Sequence, residues 1–185
     1  MKTLAKWTVD DYHRMIEAGI LENRRVELLE GEILEMTPEG PLHKYYEEKL
    51  ADYLRSCLLN QALVREAAPI ILKNSQQENS EPEPDISIVK LPRENYRDRH
   101  PGVDDIFWVI EVSDSTLTKD LDIKRKTYAA AGIQEYWIID VKNRQLIIFH
   151  SPQDGDYLFR QDISQGNIQP LAFHNINVSV DRLFA

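Results

Sequence analysis

The run "IFWVIEVS", Ile106 to Ser113, does most to limit what this chain can fold into. Its apolar residues are consecutive rather than alternating, the pattern of a strand covered on both faces. Such a strand needs a layer on each side, which points to a sheet with helices packed against it. Glu111 interrupts the run. A carboxylate there is costly unless a cation or a metal compensates it. The helix that follows, ending at Gly132, carries the opposite charge in the same predicament. At about 100° per residue, Leu117, Leu121, Lys124, Tyr128 and Ala131 share one stripe, whereas Arg125 and Lys126 turn away. Lys124 either snorkels to water or is aimed at acids on the sheet.

The remaining elements fit a mixed α/β (α+β) domain around one central sheet flanked by helices. "TVDDYHRMIEAG" reads as a short helix capped by Thr8, with Gly19 beyond its end. "RRVELLEGEILEM" reads as a hairpin turning at Glu30–Gly31. "PLHKYYEEKLADYLRSCLLN" reads as a helix entered at Pro41. "ALVREAAPIILK" supplies one or two strands and "DISIVK" another. "NSQQENSEPEP" and "LPRENYRDRHPGVDD" read as loops. "EYWIIDV" and "QLIIFH" form a strand pair, "YLFRQDI" adds an edge strand, and "LAFHNINVSVDRLF" gives no clear pattern. Residues 1–185 show no internal repeat or dividing linker, so a single domain is expected, with its core motifs in 26–149.

Composition narrows the class. The single cysteine, Cys57, excludes an internal disulfide and a cysteine-rich zinc site. No signal core or run of about 18 apolar residues is present, and a cytoplasmic protein with no membrane span is expected. A net charge of −9 argues against a surface made wholly for gripping phosphate backbones. It is compatible with acids that hold a metal.

Asp85 lies at the mouth of the "DISIVK" strand, after Pro84, which keeps the backbone before it extended. In "IFWVIEVS", alternation puts Glu111 on one face with Phe107, Val109 and Ser113. If the two strands are neighbours, two close carboxylates repel unless a cation or shared proton intervenes. Oxygen ligands without a Cys or His cluster suit Mg²⁺ or Mn²⁺. Glu27 interrupts "VELL"; it is either a further site acid or an ion-pair partner of Arg24 or Arg25. His43 sits at the edge of its helix's apolar face, where a hydrogen-bonded core histidine is the plainer reading.

On "VELLEGEILEMTPEGPLH", "EPEPDISIV" and "IEVSDSTLTKDLDIKRKTYAAAGIQEYWIIDV", in that order and spacing, the chain resembles the Uma2 family. That family belongs to the restriction endonuclease-like, PD-(D/E)XK superfamily. The resemblance implies a restriction endonuclease-like fold and a metal-dependent endonuclease hydrolysing phosphodiester bonds of nucleic acid, DNA above all. Pro84–Asp85 looks like the PD of the motif and Glu111 like its second acid. The superfamily lysine two residues further on is replaced here by Ser113, and Lys124 on the next helix matches the family's lysine. The resemblance also implies metal held by Asp85, Glu111 and the carbonyl of Val112. Glu27 would serve a second ion or a bound water, and His43 would touch phosphate or complete the site. Asp120, Tyr128, Glu135, Tyr136 and Trp137 match the family pattern and read mostly as structural. By analogy, a homodimer would bring two sites to two strands. "RENYRDR", with Arg93, Arg97, Arg99 and Tyr96, is the local candidate for DNA contact. Two rivals stand beside this reading. A non-catalytic nucleic-acid-binding or regulatory module on the same fold is favoured by the charge and by Ser113. A hydrolase using Ser113 or Ser115 lacks the glycine-rich elbow such a nucleophile needs.

Overall fold

The computed structural model describes residues 4–74 and 77–185. Its centre is a six-stranded sheet in the order β10-β9-β8-β7-β6-β3. Along the chain these strands are β3 (Leu63–Glu66), β6 (Ile86–Val89), β7 (Ile106–Ser113), β8 (Glu135–Asp140), β9 (Gln145–Gln153) and β10 (Asp156–Ile163). β7 and β8 are parallel and every other neighbouring pair is antiparallel. The parallel pair needs a crossover, and the segment between the two strands provides it. This segment runs as α3 (Leu117–Lys119), a π turn (Asp120–Lys124) and α4 (Arg125–Ala131). It closes at Gly132, whose φ of +89° favours glycine.

The double-sided run behaves as its composition requires. Trp108, Ile110 and Val112 pack with Trp137 under α2 (Pro41–Leu58), through Leu50, Leu54 and Leu58. On the other face Val109, Tyr136 and Ile138 pack under Tyr128 and Ala129 of α4. Phe107 departs from strict alternation. The β6–β7 register shifts there, so Phe107 lies with Trp108 on the α2 side, against Phe173 with ring centroids 4.8 Å apart. An extra residue at a bulge has no opposite partner, and the face count slips by one.

Three smaller parts frame the site. α1 (Val9–Glu17) starts at Thr8, whose hydroxyl accepts from the Asp11 N–H at 3.2 Å. β1 (Val26–Leu29) and β2 (Glu32–Glu35) form the hairpin, turning through Glu30 and Gly31 at positive φ. A side chain on Gly31 would strike Lys6 Cβ at 2.8 Å. The polar stretch read as a loop contributes β5 (Gln77–Ser80), which pairs with β4 (Leu72–Asn74). Ser75 and Gln76 lie outside the described residues. Nothing in its composition marks β5 as a strand; it is made by its neighbours. The Gly31 N–H donates to the Asn79 carbonyl, and the Glu81 N–H to that of Leu28. The hairpin is thereby fixed beside the sheet. The tail gives β11 (Asn167–Ile168), β12 (Val178–Ser179) and α5 (Val180–Phe184), which covers the α2 side of the core. None of the described helices is long and apolar enough to cross a membrane.

Candidate active site

Glu27, His43, Asp85, Glu111 and Lys124 all line one cleft of about 60 Å³. That is room for an ion and a few waters. β7 brings Glu111, and Asp85 immediately precedes β6. The hairpin brings Glu27, the first turn of α2 brings His43, and the end of the π turn brings Lys124.

Lys124 and Glu111 answer each other. Nζ lies 2.8 Å from Glu111 Oε1, and the two residues are 6% and 2% exposed. The Tyr128 hydroxyl donates to the same oxygen at 2.6 Å. Lys124 therefore does not snorkel. Burial pushes the Glu111 carboxyl well up; Lys124 opposes that, while Asp85 and Asp120 add to it. Burial pulls the Lys124 pKa down, but Glu111, Glu27, Asp120 and Asp85 together more than offset this and raise it. The ammonium is thus held protonated.

The π turn sets this geometry. The Asp120 side chain accepts from the hydroxyls of Ser113, at 2.6 Å, and Thr116, at 2.7 Å. The Tyr136 hydroxyl donates to the Asp120 carbonyl at 3.3 Å. Ser113 thus ties the strand to the helix that delivers Lys124. Single π turns occur where an inserted residue re-aims a functional side chain.

The other half of the cleft is less complete. Asp85 Oδ2 accepts from the Val112 N–H at 2.6 Å. The N–H and C=O of one strand residue point to the same edge, and the β6–β7 pairing stops at Ile86–Ile110. The Val112 carbonyl therefore faces the Asp85 side beyond the last strand pair. His43 Nε2 is 3.3 Å from Asp85 Oδ1 and 4.0 Å from Glu47 Oε2, yet makes no well-formed hydrogen bond. Burial disfavours charge on the ring, but Asp85, Glu39 and Glu47 more than offset this and raise its pKa. Glu27 pairs with neither Arg24 nor Arg25. Its Oε1 takes Lys119 Nζ at 2.7 Å, while Oε2 is buried without a partner. Arg25 is engaged by Glu39 at 2.5 Å.

Glu39, His43 and Asp85 form the metal-competent group found among the described residues, with ligand atoms all within 4.8 Å of one another. Bonds of about 2.1–2.4 Å allow opposite ligands to stand about 4.2–4.8 Å apart. Glu111 lines the same cleft but is not one of this group; its Oε1 is engaged by Lys124 and Tyr128. Glu39 and Lys119 join the site without a sequence signal. Glu39 sits in the "TPEG" loop, where no periodicity marks it, and Lys119 reads as a surface lysine.

The Uma2 family, described as "Putative restriction endonuclease", matches residues 9–181. This chain belongs to the Uma2 family. A solved structure described as a "putative nuclease belonging to DUF820", from Anabaena variabilis, is similar to this Uma2 chain with a TM-score of 0.69. The likeness covers 96% of this chain and 97% of that one at 18% identity, a level that speaks to the fold. No curated protein matches this chain. The restriction endonuclease-like architecture read from the motif segments is the fold observed.

Proposed function

We propose that this Uma2 protein is a divalent-metal-dependent endonuclease that hydrolyses phosphodiester bonds of nucleic acid, with DNA as substrate. The observation that carries this reading is the buried Lys124–Glu111 pair, opening onto a cleft with Asp85 and a His43 ring nitrogen that makes no hydrogen bond.

The residues fit a hard or borderline cation. Two buried polar atoms, His43 Nε2 and Glu27 Oε2, lack a hydrogen bond, and the His43 nitrogen stands beside the carboxylates of Asp85 and Glu47. Asp85, Glu39 and His43 would hold the ion, with Glu111 and the Val112 carbonyl the further ligands implied by the family motif. Mn²⁺ suits a set that includes imidazole better than Mg²⁺ does. When bound, the cation would polarise the phosphate and lower the pKa of a bound water.

The chain's own groups do the rest. Lys124, kept protonated by the acids around it, is a positive charge for the phosphate as negative charge grows on its oxygens, and not a base. Glu111 holds that ammonium in place and Tyr128 holds Glu111. Glu27 keeps a free oxygen toward the cleft for a water. Ser113 is no nucleophile, because its hydroxyl donates to Asp120. A homodimer would set two clefts against two strands, and sedimentation would test it.

The test is nicking of supercoiled plasmid with Mg²⁺ or Mn²⁺, with calorimetry for metal. Wild type should cut. Lys124→Ala should abolish cutting, and His43→Ala should weaken Mn²⁺ binding by at least about tenfold, the smallest loss typical even of an outer-shell partner. Metal binding that survives loss of both Asp85 and Glu39 would refute the ligand set. Wild type that binds metal and duplex but never cuts would leave the binding or regulatory module, which the net charge of −9 favours.

A further inference from the structure

A second charged feature lies on the edge strand β3, outside the cleft. There a groove of about 630 Å³ carries Arg55, Arg65, Arg93 and Arg97 against Glu66 and Glu94. A local excess of arginine on a chain of net charge −9 is notable, and the pairing of each residue is more so. Arg55 is neutralised by Glu66 and Asp52. Arg97 is exposed, with only a long 3.9 Å approach to Asp98. Among the described residues, Arg65 and Arg93 have no carboxylate within ion-pair reach. Arg65 donates only to the Pro69 carbonyl at 3.3 Å. Burial lowers its pKa, Tyr96 partly opposes this, and Arg93 adds to it. Two neighbouring guanidiniums left without an anion form a site that an anion would relieve.

Tyr96 shows which kind of contact fits. Its ring lies 5.8 Å from the Arg65 guanidinium and 5.3 Å from that of Arg99, and its hydroxyl is bonded to the Lys90 carbonyl. A ring already engaged by two guanidiniums is a poor platform for stacking an unpaired base, the usual device for gripping single strands. It organises the arginines for phosphate, the sequence-independent part of duplex recognition. One end of the groove is joined to the cleft through the backbone. Ala68 lines the groove, and the adjacent Ala67 donates its N–H to the Asp85 carbonyl at 3.0 Å.

We propose that the Arg65–Tyr96–Arg93 groove along β3 binds the phosphate backbone of duplex DNA and so brings the duplex to the cleft. The inference rests on the nuclease reading for its partner class. Arg65 carries no sequence signal, because a charged residue is ordinary in an edge strand.

The test measures binding of the full chain to a fluorescent 30-base-pair DNA duplex in EDTA, by anisotropy, from 50 to 200 mM salt. Arg65→Gln with Arg93→Gln should weaken binding at least tenfold and lower the slope of log affinity on log salt by about 2, at about 0.9 per phosphate contact. Lys142→Gln with Arg182→Gln makes the same charge change away from the groove and should leave the slope unaltered. Should the first pair fail to fold, the exposed pair Arg93→Gln with Arg97→Gln replaces it, with the same expectation for slope. A slope equal to wild type in the groove variants overturns the proposal. So does wild type that binds no duplex, or binds single strands or polyglutamate better. Plasmid cutting by wild type separates the two ideas. Binding lost with the groove but no cutting sinks the nuclease reading alone, whereas cutting with an unchanged groove slope sinks the groove alone.

Discussion

Glu111 and Glu135 are both deeply buried, at 2% and 3% exposure, on the adjacent parallel strands β7 and β8. They are held in opposite ways. Glu111 has a cation, Lys124, and a hydroxyl, Tyr128. Glu135 has neutral donors, the Trp137 indole at 2.7 Å and the Leu171 N–H at 2.8 Å. Burial raises the Glu135 pKa to about 7, with those two bonds opposing it. The contrast separates two uses of a buried acid. Glu135 fastens the segment at Leu171 to the sheet and faces no cleft residue. Glu111 holds a charge that a ligand entering the cleft would meet.

The sharpest way to break this comparison is to remove the cation. Lys124→Met should cost about 3–5 kcal/mol by leaving Glu111 buried alone, measured by urea denaturation. Adding Glu111→Gln should recover much of that loss; simple additivity would show that the two groups are not coupled.

The next effect separates the acids by pH. Glu135 binds its proton more tightly when folded, so its contribution is complete below about pH 4.5 and is lost as pH rises to about 7. Glu135→Gln should flatten the fall in unfolding free energy across that window by up to about 3 kcal/mol, with plasmid cutting retained. An unchanged pH profile would mean that Glu135 is not the acid responsible.

The smallest effect is expected from Tyr128→Phe, which removes one donor from Glu111 while Lys124 stays. A loss of about 1 kcal/mol is expected. A loss as large as that of Lys124→Met would make the hydroxyl, not the ammonium, the main support of the acid.

Much of this arrangement is legible in the sequence because burial is legible. Glu111 and Lys124 break apolar patterns, and a break in a strong pattern is a signal. Thr8, Pro41, Gly132 and the Glu30–Gly31 turn are readable because caps and turns demand particular residues. Glu39, Lys119 and Arg65 are not, since each lies where polar residues are ordinary and gains meaning only from its tertiary neighbours. β5 is hidden for the same reason. The tail elements are too short for periodicity, and the bulge at Phe107 shows that a face count fails once a register shifts.

The π turn has a consequence for how the proposed chemistry could be silenced. Because the ammonium arrives on a helix and the acids on strands, charge complementarity exists only while those layers stay docked. A chain in which this crossover loosened would keep its sheet and its carboxylates yet lose the cation that reconciles them. Inactivation would then require no change to any acid, only a slackening of the contact between two layers.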